Sequence, residues 1–229
     1  AAGGLCELGD ARLGQSELRV IVRNSDIAVR NRMWAAEKLK SVGLLRHAAF
    51  AFARIARDDC VEVFHRTRAA IAFDELEHER NYIVWDPLMA LLEDRAQLVA
   101  DRVEAAQALF RIDGEDGYDD LVYPELFAML ADDELSERDV LRVGASLGAR
   151  GWKLDEMPRV HRALESNEIS LSARIKALQT IGRYGRNQEV VQPLIRIAAH
   201  PATSVELALK AVKATGNSDG NSKAQVLLG

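Results

Sequence analysis

A small or apolar residue, in most copies followed by Gly, returns along this chain at Leu8, Val42, Leu76, Ile112, Leu147, Ile181 and Thr215, with gaps of 34, 34, 36, 35, 34 and 34 residues. So constant a period is the mark of a solenoid, in which one supersecondary unit is repeated and each copy packs on its neighbours. No break in composition interrupts it, so residues 1–229 read as a single array without a domain boundary.

Three and six residues before each marker stand further small or apolar residues: Ala36, Leu39, Val42; Ala70, Phe73, Leu76; Ala106, Leu109, Ile112; Ile175, Leu178, Ile181; Leu209, Val212, Thr215. Steps of three and six trace one face of a helix. This is the second helix of each unit, and the pairs Ala35-Ala36, Ala69-Ala70 and Ala105-Ala106 leave room for a neighbouring helix. Arg32, Arg66 and Arg102 precede the pairs at one offset. The first helix is marked by a proline in its first turn, where a missing N–H costs nothing, at Pro87, Pro124, Pro158 and Pro193. Polar turns at 94–101, 132–137 and 200–204 join the helices, the last with a capping box of Thr203 and Glu206. The predicted class is all-α, a helix, a turn and a helix per unit.

The strings Arg32 to Leu39, Arg66 to Phe73 and Arg102 to Leu109, with the Pro-Leu first helices and the Ile181-Gly182 ending, resemble the HEAT repeat family, particularly the bacterial HEAT-like repeats of phycobilisome lyases. The resemblance covers nearly the whole chain and implies a right-handed α-solenoid of about six to seven two-helix repeats. It is almost silent on function, because the shared positions are packing positions. Residues 138–148 depart from it, with Leu141 and Gly144 where Ala and Leu are expected. At a shift of 34, Ala1 to Gly9 match Ala35 to Gly43 and Asn221 to Leu228 match Asn187 to Leu194, so both ends read as falling mid-repeat, as in part of a longer protein.

Several patterns suggest chemistry, and each has a plainer reading as packing, a solvated loop or a solvated side chain. Gly144-Ala145-Ser146-Leu147-Gly148 fits the Gly-x-Ser-x-Gly nucleophile elbow, which needs a strand-turn-helix context, yet here it lies in a helix in register with the repeat. Two-iron hydroxylases of the HEAT type use several His-Glu pairs, whereas this chain has His78-Glu79 alone, and His47, His65, His161 and His200 lack an adjacent Glu. No metal or cofactor is therefore expected. The acidic run Asp113 to Asp120 lacks the ligand spacing of an EF-hand and reads as an inserted loop. Trp34, Trp85 and Trp152 evoke HEAT-like DNA glycosylases, but a net charge of −5 gives no overall attraction for duplex, so they read as fillers between helices. Cys6 and Cys60 stand too far apart for a zinc knot and read as reduced thiols.

Charge is unevenly spread. Residues 113–139 hold eleven acidic and one basic residue, residues 140–229 hold seven and thirteen, and the first 112 are close to balanced. Arg142, Lys176 and Lys210 recur at steps of 34 away from the Leu141, Ile175, Leu209 stripe, with Arg183 and Lys213 nearby, so the five form a candidate ladder for an acidic segment or a phosphate. The expected function is a non-catalytic protein-interaction scaffold, a sensing or regulatory arm that binds a protein or another domain of its own chain. Nucleic-acid binding by the basic third and a lyase- or glycosylase-like enzyme are the alternatives. With 23 Arg against 7 Lys, no apolar run long enough to span a bilayer and no export signal, a bacterial cytoplasmic setting is expected.

Overall fold

The computed structural model describes residues 11–77, 82–112, 119–166, 168–184 and 188–216. Among them there are twelve α-helices and no strand. They are α1 Ala11–Arg23, α2 Val29–Ser41, α3 Leu45–Ala56, α4 Val63–Asp74, α5 Tyr82–Glu93, α6 Val99–Ile112, α7 Asp119–Ala131, α8 Glu137–Gly148, α9 Pro158–Glu165, α10 Leu171–Tyr184, α11 Gln188–Ala199 and α12 Val205–Gly216. A short 3-10 turn at Leu154–Glu156 precedes α9. Two compact units divide the chain, residues 1–122 and 123–229.

Within each unit the main helix contacts run one or two places along the chain. In the first, α2 packs on α1, α3 and α4, and α4 packs on α3, α5 and α6; in the second, α8 packs on α9 and α10, and α10 on α11 and α12. This nearest-neighbour pattern is consistent with an α-solenoid-like fold. The alanine pairs explain it locally, since Ala35, Ala36, Ala69, Ala70, Ala105 and Ala106 are all fully buried and present almost no side chain between the helix axes.

Two stripe positions stand exposed, Val42 and Leu209, and two more, Leu76 and Val212, are only half-buried. Val42 is the residue at which α2 stops, so helical periodicity no longer holds there. Leu209, expected in the core stripe, is 45% exposed, because α12 packs on α10 and α11 and on no later described helix. The glycine of the marker also serves different ends. Gly43, at φ +80°, closes α2 in a Schellman motif, with its N–H on the Lys40 carbonyl at 3.1 Å and that of Leu44 on Leu39 at 2.9 Å. Gly148 is instead inside α8, and the left-handed cap falls to Gly151 at φ +94°.

Pro158 opens α9 as expected, but Pro87, Pro124 and Pro193 each sit sixth in their helices, not in the first turn. An internal proline costs roughly 3 kcal/mol. Val84 and Leu88, Val122 and Leu126, and Val190 and Leu194, one of each pair on either side of the proline, are essentially fully buried. Each such side chain contributes about 1.5–3 kcal/mol, enough to carry the helix through.

The turns between paired helices share a device that composition does not reveal. A side-chain acceptor receives the N–H two residues on: Asn24 from Asp26 (2.9 Å), Asp58 from Cys60 (3.1 Å), Asp94 from Ala96 (2.9 Å), Asp132 from Glu134 (3.0 Å), Ser166 from Glu168 (3.2 Å) and His200 from Ala202 (3.2 Å). The proposed Thr203 cap is corrected to Ser204, whose Oγ accepts the Leu207 N–H at 3.4 Å, while the Thr203 hydroxyl donates to the Ile197 carbonyl at 2.7 Å.

The arginines before the alanine pairs are structural. Arg66 Nε donates to the Ala56 carbonyl at 3.1 Å and Arg102 Nε to that of Leu92 at 2.7 Å, each ten residues back at the end of the preceding helix. Arg32 pairs with Asp58 at 3.2 Å and Arg66 with Asp59 at 2.9 Å. In the departing repeat Glu137 occupies that register, and Arg159 of α9 takes over, donating to the carbonyls of Leu130 (2.8 Å), Leu135 (3.1 Å) and Asp132.

Candidate functional surfaces

In the second unit, α8 packs on α10 and α10 on α12, so Arg142, Lys176 and Lys210 stand on consecutive neighbouring helices. Two of the three are engaged by acids on their own helix: Arg142 Nη1 meets Asp139 Oδ1 at 2.7 Å, and Lys210 Nζ meets Glu206 Oε1 at 2.7 Å. The hydrogen bond from Lys210, then its charge, holds the Glu206 carboxyl below its ordinary pKa. Lys176 and Lys213 are exposed and form no ion pair among the described residues. The Arg183 side chain lies outside what is described.

The same unit holds a groove of about 480 Å³ between α9, α10 and α11, floored by Leu154, Leu164 and Leu178 and rimmed by His161, Glu189 and His200. Its polar groups largely serve the fold. Glu189 accepts the Leu154 N–H at 3.0 Å, and the Nδ1 of His200 holds its own turn.

The apparent nucleophile elbow is interior helix. Ser146 is 1% exposed, and the two glycines are contact points: a Cβ on Gly144 would lie 2.4 Å from Val160 Cγ2, and one on Gly148 would lie 2.7 Å from Ile181 Cγ1. No group of three His, Cys, Asp or Glu able to hold a metal occurs among the described residues. His78-Glu79, Cys6 and most of the acidic run, residues 113–118, lie outside them, and Cys60 is exposed and free. Trp152 fills a gap as expected, edge-on to Tyr123 and Phe127 with centroids 5.5 and 4.7 Å away. Trp34 does not, being 43% exposed.

A cationic cluster in the first unit escaped the sequence reading. Two clefts, about 240 Å³ between α1 and α3 and about 780 Å³ along α3, α4 and α5, share Arg46 and Phe50. Arg19 and Arg23 line the smaller; Arg54 and Arg57 line the larger. Arg54 lies 6.0 Å over the Phe50 ring and donates to the Arg23 carbonyl at 3.0 Å. The remaining four arginines form no ion pair among the described residues, and the Nε of Arg19 is buried without a hydrogen-bond partner. His47, in the smaller cleft, is held below its ordinary pKa, first by desolvation and then by Arg19 and Arg23. A signal was present: 19 and 23, then 46, 50, 54 and 57, are steps of four, four, four and three along single helices. Averaging charge over 112 residues concealed it.

Compared with protein-family models, curated proteins and solved structures, the chain gives no match. No helix among the described residues is long and apolar enough to cross a membrane.

Proposed function

We propose that this chain is a right-handed α-solenoid of six to seven HEAT-like repeats that acts as a non-catalytic interaction scaffold in the bacterial cytoplasm and binds a protein partner. The observation that carries the reading is the run of neighbouring second helices α8, α10 and α12, on which Lys176 and Lys213 are exposed without an acidic partner among the described residues. Stacked helix pairs offer an extended surface for a chain to lie along without a closed pocket. Nucleic acid is disfavoured by the net charge of −5, since duplex binding requires many phosphate-neutralising cations on one surface.

The test is lysine footprinting. A polyglutamate peptide added to the purified protein is expected to protect Lys176 and Lys213 from acetylation more than Lys153. Salt is expected to remove that protection, as for any interaction between exposed charges. Equal modification with and without the peptide, or protection by duplex DNA alone, refutes the reading.

A further inference from the structure

The arginine cluster of the first unit has the chemistry of a second docking surface, carried by first helices instead of second ones. Five arginines line the two joined clefts against one carboxylate among the described residues, Glu77. Between the cations the surface is apolar: Phe50 is 54% exposed, and Val22, Ala49, Ala53 and Ile83 line the clefts around it. An exposed aromatic ringed by guanidinium groups retains its apolar contact area while the charges orient what approaches. The cluster is held in place, because Arg54 is fixed to the end of α1 and the Phe50 ring lies under it.

We propose that this surface binds a short acidic protein segment with one apolar anchor, its carboxylates meeting Arg19, Arg23, Arg46 and Arg57 and its anchor packing on Phe50. Charge complementarity selects the acid, since guanidinium forks match carboxylates in pairs. The apolar lining selects an anchor within it. A long polyanion is disfavoured, because the chain as a whole is at −5 and the positive charge is local. The proposal rests on the scaffold reading only in taking a protein segment as its ligand, and it concerns a different unit.

The experiment is fluorescence anisotropy with three labelled probes: a decapeptide of Asp and Glu with one central Leu, the same peptide with Ser for Leu, and an oligo-dT of equal charge. The Leu peptide is expected to bind with a micromolar Kd, and Arg46→Glu with Arg57→Glu, both exposed positions, to weaken it by about tenfold or more. The Ser peptide is expected to bind about tenfold more weakly, and Phe50→Ala to abolish the difference between the peptides. Circular dichroism confirms that each variant stays helical. The proposal is overturned by any of four results: no binding by the wild-type chain at about 100 µM, undiminished binding by the arginine variant, no effect of Phe50→Ala on the difference between the peptides, or tighter binding of the oligo-dT. Loss confined to Lys176→Glu with Lys213→Glu also overturns it, while leaving the scaffold reading intact.

Discussion

Gly148→Ala tests the packing of the second unit most directly. The added Cβ would lie 2.7 Å from Ile181 Cγ1 and 3.0 Å from both its Cβ and its Cγ2. Rotating χ1 of Ile181 cannot relieve this, because the Cβ does not move and a β-branched side chain in a helix has essentially one rotamer. The helices α8 and α10 must separate by about 0.5–1 Å to restore ordinary carbon contacts near 3.5–4.0 Å. Overpacking of this kind costs about 1–3 kcal/mol. Alanine returns about 1 kcal/mol of helix propensity over glycine, so the net expectation is a loss of up to about 2 kcal/mol. Ile181→Ala alone, at a fully buried site, is expected to lose about 2–5 kcal/mol. Together the two should lose less than the sum of the singles by about 1 kcal/mol, because the new methyl fills part of the hole it otherwise clashes with. Urea denaturation followed by circular dichroism gives the free energies, and hydrogen exchange of α8 and α10 locates the change. A stabilised Gly148→Ala, or strict additivity with Ile181→Ala, refutes the argument.

Replacing Arg102 by Leu should cost about 1–3 kcal/mol in the same denaturation assay, since the buried Leu92 carbonyl loses its donor, and Lys should rescue only in part. Gly43→Ala should cost about 1 kcal/mol for its left-handed φ although nothing lies within 4 Å of the new methyl, and Gly43→Asn should cost less. His47 should titrate below the ordinary histidine value by NMR, and Arg19→Gln with Arg23→Gln should raise it, leaving the part due to desolvation. Because its folded pKa is depressed, the unfolded chain binds more protons as pH falls through the ordinary value, so acidification there should lower stability, and less so in that double variant.

Repeat length, helix pairing and most of the core stripe were legible without coordinates because packing side chains must recur with the helix that presents them. Leu39, Phe73, Leu109, Leu178 and Ile181 are all buried as read. The prolines misled because the rule for a first turn ignores the apolar side chains that compensate an internal one, as Val84 and Leu88 do around Pro87. For the site, the 34-residue ladder is visible in the sequence, but acids three and four residues earlier on the same helices, Asp139 and Glu206, engage Arg142 and Lys210.

The sequence by itself determined an all-helical chain of paired helices, and through the periodic small residues it determined where helices approach. Tertiary structure alone decided which charges remain available. Arg66 and Arg46 are the same residue type, yet one is buried with its Nε on a helix-end carbonyl and the other stands exposed beside Phe50. The difference is whether a neighbouring helix brings a carbonyl or carboxylate within reach, and that depends on the packing of residues distant in the chain.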